Sequence, residues 1–308
     1  MHTFIGDVHG QAPTLRALLK KLGWRLKDGR LRPKQAENLV FVGDLIDRGR
    51  HNLESVELVH ELVSQGDATC FMGNHEFNAV MFHTPHPTVN GDHLRPHTQA
   101  NIDQHQNVLT ELESRPGFLR DMLVWFRTLP IAIEDFGWRC VHACWHENSL
   151  DRLRFDQDRW YLAEDQWTMA GERGTIQYEA CEHLLKGPEY SLPDGVSYLD
   201  GHGQERTDAR IRWWAREPRT LKEALIFKDP PSGLNLEQKY VNQDHSRYPD
   251  QAKPIFFGHY WRTGMPALES NNAVCLDYSA GSGGKLVAYR YRGERQLDPS
   301  RFIVQDCI

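Results

Sequence analysis

Three short apolar runs in the first 75 residues each stop at a glycine followed at once by a polar residue. Thr3-Phe4-Ile5 stops at Gly6-Asp7, Asn38-Leu39-Val40-Phe41-Val42 at Gly43-Asp44, and Ala68-Thr69-Cys70-Phe71-Met72 at Gly73-Asn74. Runs that are apolar throughout, rather than alternating, suit strands covered on both faces. Between them, Leu15, Leu18, Leu19 and Leu22, and then Leu53, Val56, Val59, Leu62 and Val63, recur at helical spacing. Pro13 suits the first turn of the first helix. A β-α-β-α-β order predicts a mostly parallel sheet. Ligands of such sheets lie beyond the carboxyl ends of the strands. Asp7, Asp44 and Asn74 stand at three such ends.

Further on, the chain turns polar and rich in histidine from Glu76 to Pro116, with a helix predicted near 100–114. Residues 131–133 and 139–142 read as neighbouring strands. Residues 146–219 hold four of the nine tryptophans, 15 acidic and 10 basic residues, and little periodicity. They read as part of a cap inserted over residues 146–253. Strands resume at 255–257, 273–277 and 285–291, the last two as a hairpin around Ala280-Gly281-Ser282-Gly283-Gly284.

Composition narrows the function classes. With 36 Lys+Arg against 42 Asp+Glu, the net charge of −6 is not that of an obvious nucleic-acid or membrane-surface binder. No run of 18 apolar residues predicts a membrane span. The opening MHTFIGDVHG has neither the basic nor the apolar region of a secretory leader, so a cytoplasmic protein is expected. Cysteines 70, 140, 144, 181, 275 and 307 form no C-x-x-C pair and read as reduced, mostly buried thiols. Histidine is abundant, with 16 residues, many beside Asp, Asn or Gly, which points to metal chemistry.

The chemistry concentrates in Gly6-Asp7-Val8-His9-Gly10, Gly43-Asp44-Leu45-Ile46-Asp47-Arg48-Gly49, Gly73-Asn74-His75-Glu76, Val141-His142-Ala143 and Phe257-Gly258-His259. Carboxylate, amide and imidazole donors together suit Mn²⁺, Fe or Zn²⁺ better than Ca²⁺ or a thiolate-loving metal. These blocks, in this order and each after a strand, resemble the phosphoprotein phosphatase (PPP) family of binuclear metallophosphoesterases. The resemblance covers residues 1–76, touches 139–143 and resumes at 255–291. Residues 277–284, Asp-Tyr-Ser-Ala-Gly-Ser-Gly-Gly, look like the bacterial branch.

The resemblance implies an α/β/β/α sandwich with an inserted cap, and two divalent metals, with manganese the first choice. It implies Asp7 and His9 on the first metal, Asp44 bridging both, and Asn74, His142 and His259 on the second. Two ions about 3.5–4 Å apart can clamp the attacking and leaving oxygens of an in-line displacement. Arg48 would grip phosphoryl oxygens with its planar fork. His75 would protonate the leaving alkoxide, with Asp47 fixing its ring. A second phosphate-binding arginine has no motif; Arg210 and Arg212 are the candidates, against a plain role in the cap. The histidines at 83, 86, 93, 97 and 105 are expected to be solvated loop residues near the cleft mouth. The basic-aromatic stretches around Arg152 and Arg210 can bind nucleic acid, but the acidic surroundings favour packing.

The substrate is a phosphorylated molecule. The first reading is a phosphomonoesterase for phosphoserine or phosphothreonine in proteins, for which Glu76 is the hint, since many bacterial dinucleoside polyphosphate hydrolases of this family look like GNHD. A symmetrical dinucleoside tetraphosphate hydrolase, a phosphatase processing nucleic-acid ends, and a metal-binding module without catalysis are the alternatives.

Overall fold

The computed structural model describes residues 1–199, 205–227, 229–241 and 247–308. Two six-stranded mixed sheets pack face to face. In the first, His2–Ile5, Asn38–Phe41 and Ala68–Cys70 run parallel, as the apolar runs predict. Lys285–Tyr291 pairs antiparallel with His2–Ile5 and carries Asp277–Tyr278 and Phe302–Asp306. In the second, Ile255–Phe257 lies parallel to both Arg139–Val141 and Ala273–Cys275. Ala132–Glu134, Arg159–Tyr161 and Arg154–Asp156 extend it antiparallel.

Strand alternation assigns the layers. Phe4 and Val40 from the first sheet, and Cys140, Phe256 and Val274 from the second, share one buried cluster between the sheets. Phe4 and Phe256 stack there with centroids 3.6 Å apart. The alternate residues face outward. Ile5, Leu39 and Phe41 pack with Leu15, Leu18, Val56 and Val59 of helices Ala12–Leu22 and Asn52–Ser64. On the second sheet, Phe257 meets Trp213 and Trp214 at 4.9 and 4.8 Å between ring centroids, while Leu184 of helix Ile176–Lys186 accepts the N–H of Ala143. The result is the four-layer α/β/β/α order that the resemblance implies.

The expected hairpin over 273–291 is only half formed. Ala273–Cys275 belongs to the second sheet and Asp277–Tyr278 to the first. The chain changes sheets at Leu276, whose N–H bonds the carbonyl of Phe257.

The stretch read as a cap has two kinds of structure. Residues 154–161 complete the second sheet, and Trp167, Cys181 and Leu184 pack into the main core. Around the small sheet of Glu189–Ser191, Asp208–Ile211 and Leu225–Ile226, a separate core forms from Leu192, Ala209, Leu221, Ala224 and Tyr240. Residues 200–204, 228 and 242–246 of this stretch lie outside the described residues. Trp213 and Trp214 are buried with both indole N–H groups donated, to Ala143 and Tyr260 and to Glu269. Neither presents a face for stacking a base. All six cysteines are free thiols, five of them buried. Among the described residues, no helix is long and apolar enough to cross a membrane.

Candidate metal centre

The five sequence blocks leave five strand ends that lie side by side across the two sheets. The N–H groups of Val8 and His9 bond the carbonyl of Asp44, both at 2.9 Å, and that of Gly10 bonds Leu45. The N–H of Gly258 reaches the carbonyl of His142 at 2.8 Å, and that of His259 reaches Asp7 Oδ2 at 3.0 Å. Gly258 is required by crowding: a Cβ there would lie 1.9 Å from Asp7 Oδ1. His9, Asp44, Asp47, Arg48 and His259 all adopt positive φ, from 46° to 73°. Non-glycine residues in this region are strained by about 1–3 kcal/mol each, and such strain gathers at functional sites.

Ring orientation is set from behind. His9 Nδ1 donates to the carbonyl of Ile46, and His142 Nδ1 to that of Val42, both at 2.9 Å. Each therefore turns Nε2 toward Asp44, at 3.6 and 3.4 Å from Oδ2. Asn74 Oδ1 lies 3.1 Å from His142 Nε2 and 2.9 Å from His259 Nδ1. Two groups have all their donor atoms within 4.8 Å of one another: His9, Asp44 and His75, and Asp44, His142 and His259. Asp44 belongs to both. Asp7 joins through the backbone of His259.

Electrostatics match a site built for cations. Burial, then Asp277 and Asp44, pushes the Asp7 carboxyl well above its usual range. Burial would raise Asp44 as well, but His142 and His75 hold it well below. Burial opposes the charge on His142, yet Asp44 raises it to about 10. Burial and Arg48 lower His9 to about 3. Asp7 Oδ1 and His259 Nε2 are buried and have no hydrogen-bond partner among the described residues, which is costly unless something else meets them. Oxygen and imidazole donors converging on a shared carboxylate, with two orphaned donor atoms, fit a pair of divalent cations.

Beside the cluster, His75 Nδ1 donates to Asp47 Oδ2 at 2.5 Å, and its Nε2 lies 3.9 Å from Asp44. Arg48 and His9 both border Gly281, where a Cβ would lie 2.7 Å from Arg48 Cδ and 2.9 Å from His9 Cβ. Arg210 is close enough for its charge, after burial, to help lower His259. Its guanidinium also meets Glu189 at 3.1 Å. Arg212 is not brought to the cluster. The strand ends at Ile211 and the chain turns, the carbonyl of Arg212 accepting the N–H of Ala215. Arg212 lies instead in a small cavity with Trp213, Tyr240 and Arg247.

Glu76 is fully buried, and its carboxylate accepts the N–H groups of Asp44, Leu45 and Gly73 at 2.8–3.0 Å. It holds the second and third blocks together. The expectation that the histidines at 83, 86, 93, 97 and 105 are solvated loop residues fails at two of them: His83 ends helix Asn74–His83, half-buried, with Nε2 3.2 Å from His105 Nε2, and His105 is buried as well. It is 3% exposed on helix Gln99–Ser114, and its Nδ1 reaches Asp47 Oδ1 at 2.8 Å. The sequence carried one signal for it, the spacing of His105, Val108 and Leu112 along one buried helix face.

The chain belongs to the calcineurin-like phosphoesterase family, whose model matches residues 3–260. It carries a calcineurin-like metallophosphoesterase domain across most of its length. Among curated relatives, the asymmetrical bis(5'-nucleosyl)-tetraphosphatase of Oceanobacillus iheyensis is 42% identical over 71 residues, 23% of this chain and 28% of that protein. The chain thus spans under a third of that relative. The symmetrical bis(5'-nucleosyl)-tetraphosphatase of Vibrio cholerae is 27% identical over 303 residues, 93% of each chain. Among solved structures, a protein serine/threonine phosphatase from Saccharomyces cerevisiae aligns with a TM-score of 0.48 at 14% identity, covering 99% of this chain and 78% of that one.

Proposed function

We propose that the protein is a symmetrical dinucleoside tetraphosphate hydrolase. The observation that carries this reading is the Vibrio cholerae enzyme of that name, which runs alongside 93% of this chain. The 71-residue match to asymmetrical enzymes is closer but leaves most of both chains unaccounted for. The protein-phosphatase reading rests on the identity of one residue, Glu76 in the third block, whereas the dinucleotide reading has a relative along nearly the whole chain.

Asp7, His9 and Asp44 would hold one cation, and Asp44, Asn74, His142 and His259 the other; manganese is the ion we favour. When bound, such a pair supplies Lewis acidity and a nucleophilic water. The chain's own residues do the rest. Arg48, whose charge acts on His9, and Arg210, whose charge acts on His259, bind phosphoryl oxygens. Water adds to the phosphorus as the bond to the leaving oxygen breaks, and the proton it loses goes to solvent, from which His75 regains the one it donates. His75 Nε2 passes its proton to that oxygen, and Asp47 keeps the other ring proton on Nδ1. Trp261, 43% exposed with its ring 5.7 Å from that of His259, offers an aromatic surface for a base.

The test is the product pattern with diadenosine tetraphosphate and Mn²⁺. Symmetrical cleavage yields ADP alone. AMP with ATP would reassign the enzyme to the asymmetrical type, and inertness alongside rapid turnover of a phosphothreonine peptide would restore the protein-phosphatase reading.

A further inference from the structure

Asp47 carries two imidazoles, not one. Its Oδ2 accepts from His75 Nδ1 at 2.5 Å and its Oδ1 from His105 Nδ1 at 2.8 Å. All three residues are buried. His105 Nε2 lies 3.2 Å from His83 Nε2. One tautomer set satisfies the whole row: with Asp47 ionised, both Nδ1 atoms donate to it, and His105 Nε2 is then an acceptor that takes the Nε2–H of His83. A carboxylate is enough to fix the ring of a proton donor, so the Asp47–His75 pair would be complete without His105. What His105 adds is a hold on the carboxylate.

That hold has a structural reason. Asp47 and Arg48 both sit at positive φ, 68° and 69°, in a turn with no regular structure to restrain it. Helix Gln99–Ser114 braces this turn from one side. Asn107 donates to the carbonyls of Arg48 and Gly49, and Glu111 accepts the N–H groups of Asn52 and Leu53. His105 is the member of the brace that reaches the carboxylate itself. Without it, Oδ1 loses the hydrogen bond that the described residues give it, and the carboxylate is free to turn from His75.

We propose that His105 is a positioning residue for catalysis: by binding Asp47 Oδ1 it fixes the carboxylate plane, and so aims His75 Nε2 at the leaving oxygen. The proposal rests on the reading of His75 as proton donor, but not on the dinucleotide substrate. The experiment therefore uses simple aryl phosphates with the Mn²⁺-loaded full chain. Nitrophenolate leaves without a proton; phenolate leaves faster with one. His105→Leu should lower kcat on phenyl phosphate by about 10–100-fold, and much less on p-nitrophenyl phosphate, with KM and ion content held. His105→Asn, whose amide nitrogen falls near the position of Nδ1, should recover most of the phenyl phosphate loss. An equal loss on both substrates, or Asn no better than Leu, would overturn the proposal. Should the Leu variant fail to fold, His105→Gln replaces it, because its amide falls at the Nε2 end of the ring; parity of Gln with Asn would then overturn it. His75→Asn run in parallel separates the two claims. If it also loses equally on both substrates, the proton-donor reading fails and the proposal with it; if only the His105 variants do so, the proposal alone fails.

Discussion

Replacing Gly258 by alanine should disable the site through one methyl group. The added Cβ would lie 1.9 Å from Asp7 Oδ1, whereas ordinary contact begins near 3.4 Å, so the two must part by 3.4 − 1.9 = 1.5 Å. Retreat of the methyl is blocked by Val42 Cγ2 at 2.9 Å. The Asp7 carboxylate is itself tied by Oδ2 to the N–H of His259 at 3.0 Å. Either Asp7 swings away from the cluster or the strand end carrying His259 shifts, and each outcome separates donors of the proposed centre. Misplacement by about 1 Å costs on the order of 10²-fold in rate, or about 2.7 kcal/mol of barrier. Overpacking costs about 1–3 kcal/mol of stability, which leaves a protein of this size folded. The assay is kcat/KM on diadenosine tetraphosphate or p-nitrophenyl phosphate, with metal content by mass spectrometry and a thermal melt. We expect a loss of at least about 10²-fold with fewer than two ions retained. Gly117→Ala, where a Cβ meets open space, should change nothing. A Gly258→Ala protein with two ions and near-normal turnover would refute the crowding argument and the place of Asp7 in the centre.

Other expectations follow from the same geometry. Asp44→Asn, which removes the charge shared by both donor groups, should abolish turnover and weaken both ions; two ions retained at full rate would contradict the shared role. Arg210→Ala should lower kcat/KM for diadenosine tetraphosphate more than for p-nitrophenyl phosphate, and an equal effect would argue against contact with the longer phosphate chain. Glu76→Asp, too short to keep three backbone N–H bonds, should lower the melting temperature without moving preference toward another substrate. Chelation should destabilise the protein, since an ion held at 100 times its Kd contributes about 2.7 kcal/mol; an unchanged melt after complete metal removal would count against a centre built by these residues.

The parts of this molecule legible in the sequence are those specified locally. A buried strand and the glycine that ends it are contiguous in the chain, so Asp7, Asp44 and Asn74 could be placed at strand ends without coordinates. His142 and His259 followed from the resemblance, and the structure brings both to Asn74 and Asp44. The parts that were not legible depend on direction or on distant partners. Glu76 lies two residues from Asn74, yet helical geometry turns it to the backbone of Asp44, 32 residues away. His105 meets Asp47 across 58 residues, and a polar, histidine-rich stretch gives no sign of which member will be buried. The change of sheet at Leu276 was hidden because Ala273–Cys275 and Asp277–Tyr278 are separated by a single residue, and only the partners of each half differ. Arg210 and Arg212 were indistinguishable for a similar reason: the turn that divides them begins after Ile211.

The measurement that bears most directly on the account is product analysis of diadenosine tetraphosphate hydrolysis by the Mn²⁺-loaded protein, with a phosphothreonine peptide at equal concentration and Asp44→Asn as blank. The account predicts ADP as the sole nucleotide product, at a kcat/KM far above that for the peptide. Phosphate released from the peptide while the dinucleotide stays intact would contradict it.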